Sequence, residues 1–242
     1  MLHRYFQEIR KRLDNLEQEQ ATSMKKAAAE CVRCIQEGGI LHLFGSGHSH
    51  LLSEEGYYRA GGLAPVRPIV AEDLLLSRGG SRCSFFERKE GYAASFLTSQ
   101  DIRPGEVLFV FSTSGRNPVP VDVALFGREK GAFVIGVTAL AYSRIQPSRH
   151  SSGLRLWDCV DLAIDNGTAA GDSLLSTEQI PVSFGPGSTV LAAALLNGIL
   201  AETVRLLAEN GMEPPIFKSG NLEGADSHNQ ALMERYGDRI PF

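Results

Sequence analysis

The run Val107-Leu108-Phe109-Val110-Phe111 is continuously apolar and stops at three consecutive hydroxyls, Ser112-Thr113-Ser114, followed by Gly115. A strand without polar alternation has both faces covered, the condition of a parallel sheet with helices on either side. Beyond Arg116 and Asn117, apolar residues return at helical spacing through Ala124. The stretch from Glu106 to Ala124 thus predicts a strand, an anion-binding loop and a helix. The rest of the chain is organised around it.

The same unit occurs earlier. Ile40 to Phe44 is a short apolar run, Gly45-Ser46-Gly47-His48-Ser49-His50 follows as a loop, and Leu51 to Ala60 reads as a helix. Further strands are expected at Pro65 to Val70, Ala132 to Thr138 and Asp161 to Asp165, with helices at Ser84 to Leu97 and Val190 to Asn210. The last of these is apolar nearly all round in its first half and is expected at the centre of the molecule. Alternation of strands and helices predicts an α/β fold with a parallel sheet covered on both faces. A tail from Phe217 to Phe242 carries a short helix near Gln230 to Tyr236.

Ahead of the first strand, Leu2, Phe6, Ile9, Leu13 and Leu16 recur at spacings of three and four, and Met24, Ala28, Cys31 and Ile35 continue the rhythm. This is a long amphipathic helix, broken near 18–23, with no preceding strand. It is expected to lie across the domain or, preferably, against a partner subunit. The 242 residues suit one domain, with 1–37 as a helical extension of a 38–242 core.

With 24 basic and 28 acidic residues the net charge is −4, and no Lys/Arg cluster tracks a nucleic-acid backbone, so nucleic acid is not an expected partner. The amino terminus mixes charge with apolar residues, unlike a signal peptide, and no apolar run reaches the roughly 18 residues of a membrane span. A cytoplasmic protein without a membrane partner is expected. Cys31 and Cys34 form a C-x-x-C inside a helical pattern rather than at a strand-to-helix turn, and Cys83 and Cys159 are distant in sequence. Neither a redox site nor a metal site is expected.

In an open parallel sheet, ligands bind outside the carboxyl ends of the strands, where helix amino termini present free N–H groups. Both hydroxyl-bearing loops belong there. Ser112, Thr113 and Ser114 add side-chain donors and Gly115 permits close approach of the main chain, which suits a phosphate without Lys or Arg. A single helix cap needs only one hydroxyl. Gly45-Ser46-Gly47 is not a dinucleotide fingerprint, because His50 stands where the third glycine belongs and no acidic residue ends the second strand. Asp165 and Asp172 are read as structural. His48 and His50 lie within reach of a ligand in the first loop, His42 is in a buried strand, and His3 and His150 are expected in solvent.

Ser112-Thr113-Ser114-Gly115-Arg116-Asn117 and Gly45-Ser46-Gly47-His48-Ser49 together resemble the paired loops of the sugar isomerase (SIS) domain family. The stretches 85–92, 185–189 and 221–229 are similar to its UPF0309 branch. The resemblance implies a three-layer αβα sandwich with a five-stranded parallel sheet, flavodoxin- or Rossmann-like, a homodimer or homotetramer, and a phosphosugar lying across the loops. It implies phosphate contacts from Ser112, Thr113, Ser114 and Asn117, and sugar contacts from Ser46 and Ser49. Ser188 and Thr189 match a turn of the muramic acid phosphate etherase branch.

What it implies for chemistry is a cofactor-independent aldose–ketose isomerase, with a base moving a proton between C1 and C2. A phosphosugar sensor without a base and a lyase-type etherase are the alternatives. Related isomerases carry a glutamate about ten residues past the first-loop serine, and Arg59 occupies that position here. Glu54 and Glu55 are the nearest carboxylates, as base or as first-turn acids of the helix. His228 is a candidate acid/base group.

Overall fold

The computed structural model describes all residues 1–242. Two helices come first, α1 (Leu2–Glu19) and α2 (Ala21–Gln36), joined at Gln20 within the anticipated break. The strands are β1 (Leu41–Gly45), β2 (Val66–Ile69), β3 (Val107–Phe111), β4 (Phe133–Thr138) and β5 (Leu162–Asp165). They form one sheet in the order β2-β1-β3-β4-β5, and each neighbouring pair is parallel. Between them run α3 (His50–Glu55), α4 (Gly80–Glu87), α5 (Ala94–Leu97), α6 (Pro118–Glu129) and α7 (Leu140–Ile145). A hairpin of β6 (Leu175–Thr177) and β7 (Ile180–Phe184), then α8 (Ser188–Glu209) and α9 (Ala225–Tyr236), complete the chain.

Side chains alternate across a strand, so each strand feeds two cores. Leu41, Leu43, Phe109 and Phe111 pack beneath α2 and α8, while Phe44, Leu108 and Val110 pack beneath α5 and α6. Phe109 is fully buried, and truncating such a side chain to alanine costs about 3–5 kcal/mol. The β1–β3 register pairs Leu41 with Val107 and Gly45 with Phe111. Ser46 and Ser112 therefore leave the sheet side by side.

The amino edge of the sheet is closed by Ile40, Ala64, Phe217, Tyr236 and Ile240. Glu106 lies buried there and accepts hydrogen bonds from the Ile40 N–H at 3.0 Å, the Arg103 N–H at 2.9 Å, His42 Nε2 at 2.9 Å and the Arg239 guanidinium. Burial alone would raise its pKa, but the hydrogen bonds from His42, Arg239 and the Arg103 N–H outweigh that and hold the carboxyl at about 2. Burial also pushes His42 below its ordinary value.

Several elements differ from expectation. The helix after the first loop ends at Glu55, and Tyr58 turns the chain with a φ of 41°. The 84–97 segment is two short helices interrupted at 88–93. The polar connection after Asp165 contains the β6–β7 hairpin, whose Ile180 and Val182 are exposed. By length and composition α8 could cross a membrane. Here it covers one face of the sheet, burying Leu191, Leu195 and Ile199 while Ala194 and Asn197 face solvent, and so is not central. α2 is a core layer, whereas α1 buries only Ile9 and Leu16.

Candidate functional site

The strand order reverses between β1 and β3, and a sheet of this topology binds ligands at that switch point. Both hydroxyl loops open there. Gly45 ends β1 where the chain doubles back so tightly that a Cβ would lie 2.2 Å from the Ser49 carbonyl oxygen. Ser46 is buried and donates its hydroxyl to Glu87 Oε1 at 2.7 Å. His48 is exposed, and His50 is buried with its ring 3.2 Å from Glu54 Oε1.

After β3, Gly115 takes a φ of 59°, and a Cβ there would meet Thr138 Oγ1 at 2.8 Å. Its N–H donates to Ser112 Oγ at 3.3 Å, closing the hydroxyl loop on itself. The loop is clamped from β4, since the Ala139 N–H and the Thr138 hydroxyl both donate to the Thr113 carbonyl, at 3.0 and 3.2 Å. Asn117 precedes α6 but does not cap it. Its Oδ1 accepts from Arg149 Nη1 at 3.0 Å instead.

Ser49, Ser112, Thr113, Asn166, Ser188 and Thr189 line a cavity of about 10 Å³, the room of one water. The structure thus gathers the two loops and the Ser188-Thr189 turn into one place. At that turn Asp172, with a φ of 53°, accepts the N–H groups of Gly187 and Ser188 at 3.0 and 2.8 Å and the Ser188 hydroxyl at 2.6 Å. An internal carboxylate already fills the amino end of α8. Asp165 is structural too, accepting the Leu140 and Gly167 N–H groups at 3.1 and 3.0 Å.

The carboxylates of α3 do not join this cluster. Glu54 turns to His50, and Glu55 binds Arg59 and Asn197, the latter about 13 Å along α8 from Ser188. Their helix ends at Glu55, before a second turn is complete, and Glu55 faces α8 rather than the loops. His228 hydrogen-bonds the Ile216 carbonyl at 2.8 Å, next to the amino-edge cluster and away from the loops of its own chain. His150, expected in solvent, is wedged beside Asp122 at 3.0 Å. Cys31 and Cys34 are buried in α2, and burial pushes the Cys34 thiol up to about 12.

The carboxylate that does reach the loops is Glu87, at the end of α4. No local pattern joins it to Ser46, which lies 41 residues earlier. Two guanidiniums also stand beside the second loop. Arg116 Nη1 donates to Gln146 Oε1 at 3.0 Å, and Arg149 holds Asn117, so arginine is present at a loop expected to do without it.

Residues 4–139 match the family model described as SIS domain. A UPF0309 protein of Halalkalibacterium halodurans is 54% identical over 242 residues, covering 100% of this chain and 97% of the relative. Another, from Geobacillus kaustophilus, is 52% identical over 241 residues, covering 100% and 96%. Among solved structures, a phosphoheptose isomerase from Francisella tularensis matches with a TM-score of 0.55 over 84% of this chain and 96% of that one, at 14% identity. Phosphoheptose isomerase from Neisseria gonorrhoeae matches with a TM-score of 0.53 over 83% and 96%, also at 14% identity. Likeness at that identity is likeness of fold.

Proposed function

The chain belongs to the SIS domain family, in its UPF0309 branch, and on that premise we propose that it binds a phosphosugar across the β1 and β3 loops and interconverts aldose and ketose forms. The observation that carries this reading is the contact of Ser46 with Glu87 beside the hydroxyls of Ser112, Thr113 and Ser114. One side of the cleft offers donors to a phosphate, and the other offers a carboxylate base held by a loop hydroxyl. Glu87, rather than Glu54 or Glu55, takes the C2 proton of the open-chain aldose. The electron pair moves into the C1–C2 bond and the carbonyl oxygen gains a proton, giving an enediol. Returning the C2 proton to C1, while the O2 hydroxyl gives up its proton in exchange for the one O1 gained and C2 becomes the carbonyl, completes the ketose. The chemistry calls for no cofactor or metal.

The same reading takes the protein as cytoplasmic and self-associating. Leu2 and Phe6 are exposed on α1 at 69% and 50%, which suits a subunit contact. His228 would enter a site only from a neighbouring subunit.

A phosphosugar panel tests the site and the chemistry together. A cognate phosphosugar at about 100 times its Kd adds about 2.7 kcal/mol of stability, or about 5–10 °C in Tm. The doubly substituted Ser112→Ala, Ser114→Ala protein should lose that gain, and an unchanged gain removes the phosphate loop. Solvent exchange of the C2 proton should accompany binding, and Glu87→Gln should slow it by about 10²–10⁴-fold with affinity retained. Stabilisation without exchange by any sugar would favour the sensor reading.

A further inference from the structure

The loop after β3 lacks donors that its position normally supplies. Two of the first three residues of α6 are prolines, Pro118 and Pro120, which carry no N–H. Within that turn only Val119 has an amide to offer. The hydroxyls of Ser112, Thr113 and Ser114 are neutral, and Asn117, at the helix entrance, gives its oxygen to Arg149. A phosphate dianion seated there would meet few amides and, from the loop itself, one charge, that of Arg116.

Further positive charge comes from elsewhere in the chain. The Arg149 N–H donates to the Arg116 carbonyl at 2.8 Å, and its Nη1 to Asn117 at 3.0 Å, so backbone and side chain are both fastened to the loop. Flanking residues fix the segment further, with His150 Nε2 3.0 Å from Asp122 Oδ1 and the Ser151 N–H donating to Glu90 at 2.6 Å. Those two carboxylates are thereby turned to His150 and Ser151. Arg116 Nε is buried without a hydrogen-bond partner, and none of Arg88, Arg116 and Arg149 has a carboxylate within ion-pair distance. Burial and then the charges of Arg116 and Arg88 push Arg149 below its ordinary pKa, and Glu87 opposes them. Arg116 and Arg149 are therefore fastened beside Asn117, Arg88 follows Glu87 in sequence, and none of the three guanidiniums is taken up by an ion pair. A phosphate monoester, with a charge of about −1.5 to −2, is an anion that such unpaired guanidiniums attract.

Resting on the phosphate-loop reading above, we propose that Arg149, supported by Arg116 and Arg88, supplies the cationic half of the phosphate site in place of the amides that Pro118 and Pro120 remove. The serine loop orients the phosphate, and the arginines provide the attraction. Binding then depends on ionic strength, and the site selects a phosphorylated sugar over its neutral parent.

Titration of the intact protein with inorganic phosphate at about 50 and about 500 mM NaCl reads this directly, because salt screens charge more than neutral hydrogen bonds. Wild type should weaken with salt. Arg149→Ala should bind roughly 10- to 100-fold more weakly at low salt, with a flattened salt dependence. Arg149→Lys should keep the salt dependence. Arg88 makes no side-chain hydrogen bond, so Arg88→Ala leaves the fold intact and should also lower affinity and flatten the slope, by less. Wild-type affinity and slope in Arg149→Ala and Arg88→Ala overturn the proposal. If those losses fail to appear while the Ser112→Ala, Ser114→Ala protein no longer binds, the serine loop stands and only the arginine role falls. If the serine variant binds as wild type, the phosphate loop itself is wrong.

Discussion

The two edges of the sheet use the same kinds of side chain to opposite ends. At the amino edge Glu106 meets His42, Arg239 and two backbone N–H groups, so this buried carboxylate has its partners inside the protein. At the carboxyl edge Arg88, Arg116 and Arg149 form no ion pair, and Glu87 is held by Ser46. Arginine beside carboxylate marks a function in neither place by itself. What distinguishes the edges is balance. A saturated network fixes the fold, whereas charged groups left without an ion pair over a cleft suit a ligand of the other sign.

That contrast is broken or sharpened most strongly at Glu106. Glu106→Gln leaves Arg239 to Asp101 alone, weakens the buried hydrogen bonds that converge on the carboxylate and should cost about 1.5–3 kcal/mol, lowering Tm by about 3–12 °C, with phosphate affinity unchanged. Thermal melting together with phosphate titration checks both halves. A stable variant would deny that the amino edge is structural, and lost phosphate affinity would deny that the edges are independent.

Acid gives a second, smaller effect with a fixed sign. The Glu106 carboxyl is held at about 2 against an ordinary 4.5, so its stabilisation is complete above about 4.5 and is lost as pH falls towards 2. Melting curves from pH 6 down to 2 should show wild type falling more steeply than Glu106→Gln. Parallel curves would remove the carboxylate from the account. The smallest change is expected from Asp172→Ala, which uncaps α8 at the carboxyl edge and should cost about 1 kcal/mol, or 2–4 °C. A loss as large as that at Glu106 would mean that the carboxyl edge also holds a structural charge.

Much of the layout was legible because a short apolar run bounded by turn residues suits a strand buried on both faces. Val107 to Phe111, and Ile40 to Phe44 despite His42 at its centre, read as strands buried on both faces, and Gly45 and Gly115 marked where the chain turns. Elsewhere the local signal was ambiguous. Ile180 and Val182 lie in an exposed hairpin, where burial leaves no periodicity to read. The first half of α8 is apolar nearly all round, and hydropathy cannot distinguish a central helix from one whose open side remains partly apolar. Glu54 and Glu55 were attractive because they follow the first loop in sequence, yet α3 stops at Glu55 and turns that carboxylate to Asn197.

The sequence alone determined the sheet, the loops at its carboxyl edge and the hydroxyls they carry, since strand burial, tight turns and loop chemistry are properties of neighbouring residues. Only the tertiary structure decided which charges belong to those loops. Glu87 comes to Ser46 across 41 residues and Arg149 to Asn117 across 32, because α4 and the 148–153 loop lie over the β1–β3 switch point. Hydrogen bonding and Coulomb attraction act through space, and their partners are fixed by where the fold returns the chain.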